Sequence, residues 1–444
     1  MQPPKRSGEQ QSGTPRWSEA RAESQLRSLE LFGMRFGLDR MRRMMTVLGS
    51  PERAFPTIQV LGTNGKSSTT RMTAAILARH GLRTGVYTSP HLMAWRERIL
   101  ISQRELDADS FAAAIARASW AAERVNRTLA EDDHVTQFEL ATAAALWEMA
   151  RQEVEVGVIE AGLGGRFDAT SVIDAGVTVL TNVGLEHTRW LGPTVTDIAE
   201  EKLAVVRPGG ALVLGRGLDP DARAVAERIA RERGAEIEET PALAAEVTLA
   251  ARGSFQRANF ALARAAAQAH LRRAGRALDE QAVLDAAAAT EIPGRLQLIS
   301  EDPPTILDGA HNPDAVRELV RSLPELVGER PLALVLGVLE DKDVVSMLRL
   351  LMGVSERAWF TAPPSGRALS PAALESQARR LGFAASVCEP RPERALQGAQ
   401  EWARTHGGVV LATGSVYLVG ELLGWSAGSD RLRDPDIRFG TSPR

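Results

Sequence analysis

Strand alternates with helix in both halves of this chain, which predicts an α/β protein built on parallel sheets with covered faces. Three observations carry that reading. The apolar run Ile58-Gln59-Val60-Leu61 reads as a buried strand, and Ser67 to His80 behind it reads as a helix with Met72, Ala75 and Ile76 on its apolar side. Further apolar runs, each leading to a helical pattern, recur along the chain. At Ile292-Pro293-Gly294-Arg295 the helices break and the alternation restarts, so one domain is expected over 17–296 and a smaller one over 297–425. A length of 444 residues accommodates two or three domains.

Between the first strand and its helix lies Gly62-Thr63-Asn64-Gly65-Lys66-Ser67-Ser68. Strand, glycine-rich loop, Lys-Ser and helix is the layout of a P-loop. Free N–H groups and a partial positive charge at the helix start attract phosphate, and glycine lets the backbone bend around its oxygens. Lys66 is placed to reach the β/γ-phosphates and the Ser67 hydroxyl to ligate Mg²⁺. The spacing is Gly-x-x-Gly-Lys-Ser, with Val60 where the longer motif has its first glycine.

The remaining elements follow in order. Trp17 to Met45 reads as helical, broken at Gly33 and Gly37, with Leu38, Met41, Met44 and Met45 as core. Gly81 caps the P-loop helix, and Thr84 to Thr88 is a second strand running into Ser89-Pro90-His91. A serine at a strand's C-terminal end lies where open α/β sheets bind ligands; alone, Ser89 reads as a turn residue and Arg98 as a solvated arginine. Asp107 to Ala130 is an Ala-rich helix, and Thr136-Gln137-Phe138-Glu139 is a capping box opening another. Val154 to Glu160 is a buried strand ending on a carboxylate, the position from which a P-loop protein holds Mg²⁺ directly or through water. Gly162-x-Gly164-Gly165 after it mimics a dinucleotide fingerprint but no helix follows. Val177 to Asn182 is a strand, and His187 lies just beyond its C-terminal end. Asp197 to Val206 is a short helix whose Glu200-Glu201-Lys202 reads, by itself, as a solvated face. A strand at 211–214 and three helical patterns over 219–295 complete the first half.

The second half is a Rossmann-like α/β unit with no P-loop of its own. Strands read at 305–307, 332–337, 357–361 and 408–412, helices at 315–323, 343–351, 371–381 and 391–405. Asp308 and His311 sit between its first strand and helix, again the ligand-binding edge. Thr413-Gly414-Ser415 repeats that geometry, although Ser415 alone reads as a turn residue.

Bulk properties narrow the function. With 53 basic and 56 acidic residues, nothing favours a nucleic-acid or membrane partner. No apolar run is long enough to span a bilayer and no signal peptide is visible. The single cysteine, Cys388, lies in a strand-like segment and fits a reducing, cytoplasmic compartment; nothing near it in sequence would activate the thiol. Residues 1–16 and 426–444 have the composition of disordered tails.

Taken together, Gly-Thr-Asn-Gly-Lys-Ser, Thr-Ser-Pro-His, Glu-Ala-Gly-Leu-Gly-Gly-Arg-Phe-Asp-Ala-Thr, Glu-His-Thr-x-Trp-Leu-Gly, Glu-Lys, Pro-Gly-Arg and Asp-Gly-Ala-His-Asn-Pro resemble the folylpolyglutamate synthase/dihydrofolate synthase family of the Mur ligase superfamily. The resemblance runs from about residue 25 to 425 in the family's order. The P-loop belongs to the whole superfamily; the Gly-Gly-Arg-x-Asp-Ala-Thr and His-Thr-x-Trp-Leu-Gly segments are specific to folate ligases. Ser171 departs from the family's usual Asn, and Glu186 from its commoner Asp.

The resemblance implies an ATP-dependent ligase that adds L-glutamate to dihydropteroate, to reduced folates or to both, through an acyl phosphate. It implies an ATPase domain in which Gly62, Thr63, Asn64, Gly65, Lys66, Ser67 and Ser68 cradle the nucleotide, with Asn259, Arg295 and Asp308 as further contacts. It implies two Mg²⁺ sites, one on Ser67, Ser89 and Glu160 and one on His187, with Lys202 carbamylated by CO₂ as an additional ligand. Lys66, His187, Lys202 and His311 form the implied catalytic set. Thr136, Gln137, Phe138, Glu139, Phe167, Asp168 and Ala169 match the pterin pocket, with Phe138 as the stacking partner. Arg98, His311 and Ser415 match positions near the glutamate site. The expected assembly is a monomer. The rival readings are a Mur-type amide ligase acting on another carboxylate and a P-loop kinase or nucleotide-gated binding protein. Peptidoglycan ligases carry a further domain before the P-loop, for which the roughly 60 residues here are too few.

Overall fold

The computed structural model describes residues 17–29 and 37–428. The expected tail at 1–16, the end beyond 428 and the break at Gly33 lie outside the described residues.

The first half builds one sheet of eight strands: β1 (Thr57–Leu61), β2 (Thr84–Tyr87), β3 (Ile99–Ile101), β4 (Arg104–Glu105), β5 (Val156–Glu160), β6 (Val177–Leu180), β7 (Ala211–Leu214) and β8 (Glu236–Glu239). Their order is β4-β3-β2-β5-β1-β6-β7-β8. From β2 to β8 every pairing is parallel. The expectation of an all-parallel sheet is corrected at one edge, where β3 and β4 form an antiparallel hairpin beside β2. Its turn residues, Ser102 and Gln103, both have positive φ, as a two-residue hairpin turn requires.

β1, β2, β5, β6 and β7 are buried along their whole length, as strands covered on both faces must be. One face carries the helices 19–28, 39–48, 108–126 and 137–151, whose Leu26, Met41, Met44, Phe111 and Leu146 are buried with Tyr87 and Ile159 of the sheet. The other carries helices 66–79, 254–273 and 280–289, whose Met72, Ile76, Phe260 and Val283 meet Val60, Val158 and Val179. β8, Glu-Ile-Glu-Glu, closes the far edge; its glutamates pair with Arg223 and Arg272, so the exposed ladder is guarded by charge.

The second half builds a six-stranded sheet: β9 (Gln297–Glu301), β10 (Pro304–Leu307), β11 (Leu332–Leu336), β12 (Arg357–Phe360), β13 (Ser386–Cys388) and β14 (Val409–Thr413). The order is β13-β12-β11-β14-β10-β9, parallel throughout except for β9, a second antiparallel edge. Cys388 closes β13 and is exposed.

Helix 39–48 is anchored by a buried ion pair. Arg40 Nε donates to both carboxylate oxygens of Glu139 at 3.0 Å, with the two side chains 8% and 5% exposed. Removing one member strands the other charge, so Arg40→Met is expected to cost about 3 kcal/mol. A lower urea midpoint at unchanged slope would register it; an unshifted midpoint would mean that water already solvates the pair.

Candidate active site

The P-loop leaves the C-terminal end of β1, the strand between β5 and β6. Gly62 has a φ of 146° and a Cβ there would lie 1.8 Å from Thr181 Oγ1; Gly65 has a φ of 79° and faces Asn259 Oδ1 at 2.5 Å in the same sense. Both conformations favour glycine. Asn182, at the end of β6, accepts from the Asn64 and Thr63 amides at 2.8 and 3.2 Å and sets the loop's curvature. Gly62→Ala is expected to reduce ATP turnover on the order of 100-fold, the usual result of displacing a reacting group by about 1 Å. Wild-type turnover with normal folding would show that the loop tolerates the shift.

Two lysines converge on this loop. Lys66 Nζ donates to the Gly62 and Thr63 carbonyls, both at 3.1 Å. Lys202 Nζ donates to the same Gly62 carbonyl at 2.9 Å. Lys202 is 4% exposed, so the solvated face read from Glu200-Glu201-Lys202 is corrected for this residue. Burial, reinforced by the charge of Lys66, lowers its pKa to about 7. Its helix is placed by the glycine-rich segment after β5: a Cβ on Gly165 would lie 2.3 Å from the Lys202 carbonyl, and the Arg166 amide donates to the Glu201 carbonyl at 3.0 Å. Gly165 is therefore a point where only hydrogen fits.

Glu160, at the end of β5, is 1% exposed. Ser67 Oγ donates to one of its oxygens at 3.0 Å and the Ser89 amide to the other at 3.1 Å. Burial raises the Glu160 pKa, against the pull of Lys66. Hydroxyl and carboxylate oxygens beside a phosphate loop are a hard donor set, which suits Mg²⁺ with phosphate and water completing the shell. Among the described residues no three His, Cys, Asp or Glu side chains cluster as a metal site. The residues present therefore fit a cation shared with nucleotide rather than one caged by protein.

The second sheet faces this edge. The loop after β10 brings Asp308, His311 and Asn312; the loop after β11 brings Lys342. Asn64 and Asn312 exchange amide hydrogen bonds across the cleft at 2.9 and 3.3 Å. Glu186 accepts from Lys342 Nζ at 3.1 Å and lies 3.8 Å from His311 Nε2 and 3.9 Å from His187 Nε2. Burial alone would raise the Glu186 pKa, but His311, Lys342 and His187 together hold it at about 2. Burial lowers His311 to about 4 and also lowers His187, despite Glu186. Both imidazoles are thus neutral at pH 7, with a lone pair each for a proton or a cation.

Asp308 is 2% exposed and accepts from the Leu296 and Ala310 amides at 2.9 and 2.8 Å, with Arg295 as its nearest charge. Asn259 abuts Gly65, and its amide donates to Gln256 at 2.9 Å. Arg98, in the turn that enters β3 and joined through its carbonyl to the Thr88 amide just past β2, stacks on Trp95 and donates to His91. Ser415 Oγ caps the helix 416–426 by accepting from the Tyr417 amide at 3.2 Å.

The residues matched to a pterin pocket divide. Thr136 and Glu139 form the complete capping box, and Glu139 also takes Arg40. Gln137 donates to the Leu26 carbonyl at 2.9 Å. Asp168 is buried and accepts from the Leu163 and Thr170 amides, with Ala169 buried beside it. Phe138 packs on Gly162, 6.1 Å from the Tyr87 ring, and Phe167 is 46% exposed. Ring surface remains on the two phenylalanines, while the polar side chains hold the turns that present them.

Residues 60–214 match the Mur ligase middle domain, and residues 294–416 match the Mur ligase glutamate ligase domain. The folylpolyglutamate synthase of Lacticaseibacillus casei is 33% identical over 362 residues, covering 76% of this chain and 84% of that protein. The dihydrofolate synthase/folylpolyglutamate synthase of Escherichia coli is 33% identical over 354 residues, covering 77% and 81%. The chain belongs to the folylpolyglutamate synthase/dihydrofolate synthase family. It is an ATP-dependent ligase of the Mur type. Among solved structures, folylpolyglutamate synthase of Mycobacterium tuberculosis complexed with ADP superposes with a TM-score of 0.84 at 29% identity, covering 95% of this chain and 100% of that one. E. coli FolC in complex with DHPP and ADP superposes with a TM-score of 0.81 at 30% identity, over 94% and 99%.

Sequence patterns gave no role to three residues that hydrogen-bond candidate site residues or their neighbours: Asn182, His91 and Lys342. Each acts through a partner distant in sequence or hidden in a loop. Only the placement of Lys342 six residues past the buried strand β11 hinted at a ligand edge.

Proposed function

We propose that this chain adds L-glutamate to dihydropteroate, to reduced folates or to both, as a cytoplasmic monomer with domains 17–296 and 297–425 closing on the substrates. No helix among the described residues is long and apolar enough to cross a membrane. The observation that carries the reading is the pair of sheet edges meeting through Asn64–Asn312 and Glu186–Lys342, with Lys66 and Lys202 both donating to the Gly62 carbonyl of the loop. Domain closure then assembles one site from two halves.

In this reading a carboxylate oxygen of the pterin substrate attacks the γ-phosphorus of ATP, and the bond to the ADP oxygen breaks. The glutamate amine then attacks the acyl carbon, loses a proton, and phosphate leaves with the bonding electrons. Loop amides from Gly62 to Ser67 hold the phosphates, and Lys66 exchanges its carbonyl partners for them. Ser67, Ser89 and Glu160 would hold one Mg²⁺, and His187 with carbamylated Lys202 a second; such cations neutralise charge shared by phosphate and carboxylate. Asn259, Arg295 and Asp308 serve the nucleotide. Phe138 stacks on the pterin, with Phe167, Thr136, Gln137, Glu139, Asp168 and Ala169 forming the rest of its pocket. Arg98, His311 and Ser415 orient glutamate.

Parallel turnover with dihydropteroate and with tetrahydrofolate monoglutamate tests the proposal. The expected result is glutamate-dependent ADP release and one added glutamyl residue by mass for at least one acceptor. A stable phosphorylated product that accumulates without glutamate would instead make the protein a kinase.

A further inference from the structure

We propose that His91 is a positioning residue that aims the Arg98 guanidinium at the carboxylate of the amino-acid substrate; this rests on the proposed placement of Arg98 at the glutamate site. Arg98 Nε donates to His91 Nδ1 at 3.0 Å. Arginine has only donors, so His91 Nδ1 must carry the lone pair and Nε2 the proton. The interaction therefore fixes the tautomer of one residue and the fork direction of the other.

The surrounding loop is built to keep that geometry. Trp95 is a shared platform: the Arg98 guanidinium carbon lies 3.9 Å from its ring centroid, and the His91 ring 4.7 Å from it. Glu97 is 9% exposed and ties the connecting backbone, accepting from the Leu92, Met93 and Ala94 amides at 2.8, 2.9 and 2.7 Å. The backbone just after His91 is thus stapled, while its ring is held by Trp95 and the Arg98 hydrogen bond.

The guanidinium so held is half-buried; it is hydrogen-bonded to Tyr87, and the Glu160 carboxylate is the acidic group whose charge reaches it. It lies between Tyr87 of the first sheet and Tyr417 at the start of the second unit's last helix, where the halves meet. With Nε spent on histidine, one face on tryptophan and the Tyr87 hydroxyl as a further hydrogen-bond partner, the guanidinium keeps its remaining terminal N–H groups for a ligand. That fork matches a carboxylate bidentately. Lysine would lack both the stacking plane and the fork.

The test compares His91→Phe, which keeps a ring on Trp95 but removes the acceptor, with His91→Asn, whose amide oxygen stands near the Nδ1 position. Arg98→Met is the control for the site itself. Steady-state kinetics are measured for ATP, the pterin acceptor and L-glutamate, with thermal melts for folding. His91→Phe is expected to raise the KM for glutamate about 10-fold, the usual loss for a hydrogen bond to a charged group. The kcat and the KM for ATP should stay within about twofold, and His91→Asn should recover most of the glutamate affinity. A raised glutamate KM in Arg98→Met with none in His91→Phe would overturn the His91 role alone. An unchanged glutamate KM in Arg98→Met would overturn the Arg98 placement beneath it. Equal losses of kcat in both His91 variants would overturn the role by making His91 a structural residue.

Discussion

Lys202→Ala is expected to lower turnover at least about 100-fold, the scale on which single charge-stabilising groups act in such sites. Short carboxylates such as formate or acetate should restore part of the loss. The reason is electrostatic. Lys66 and Lys202 both donate to the Gly62 carbonyl, at 3.1 and 2.9 Å, so two ammonium groups share one oxygen in a buried site. A carbamate on Lys202 forms when its neutral amine attacks CO₂ and releases a proton. The product replaces a cation by an anion beside Lys66, removing the repulsion and adding an oxygen donor. Because Lys202 titrates at about 7 rather than near 10.5, a substantial neutral fraction exists at physiological pH. The sign follows: the amine is available above about 7 and protonated below it, so activity should fall on acidification and recover in part with added bicarbonate. A ¹³C carbamate resonance in the wild type, absent from the variant, would support the assignment. Full activity in the unrescued variant would remove the carbamate from the mechanism.

The second large effect is expected at Lys66. Lys66→Met should lower kcat on the order of 1,000-fold, with a smaller change in nucleotide affinity, because the ammonium acts on charge that grows as the γ-phosphoryl group departs. Its hydrogen bonds to two loop carbonyls in the present arrangement keep it within reach of that position. Rapid-quench measurement of ADP formation distinguishes a slowed chemical step from slow release. A variant with normal ADP burst and impaired turnover would assign Lys66 to product release instead.

The first sheet was largely legible because its signals are local. Ile58, Val60 and Leu61 are apolar, Gly62 and Gly65 supply the bend, and Lys66-Ser67 opens a helix, so strand, loop and helix sit within twelve residues. Glu160 and His187 could be placed for the same reason, each following a buried strand. The β3–β4 hairpin escaped because Ser102-Gln103 adopts positive φ without the Asn or Gly that normally announces it. β8 escaped because Glu-Ile-Glu-Glu reads as a solvated run until Arg223 and Arg272 pair with it. The site's cross-links were hidden by distance along the chain: Glu186 meets Lys342 across 156 positions, and Asn64 meets Asn312 across 248. The charge run around Lys202 reads as solvated by itself; the burial of this one side chain, beside the close approach of Gly165 to its carbonyl, is visible only in the fold.

The central claim is that this cleft couples cleavage of ATP to amide synthesis by phosphorylating the acceptor's own carboxylate. Turnover of an acceptor carrying ¹⁸O in that carboxylate, with L-glutamate and unlabelled ATP, tests it most directly. The released inorganic phosphate is expected to gain one ¹⁸O atom for each amide bond formed. Phosphate free of ¹⁸O, released while glutamate is still being incorporated, would contradict it.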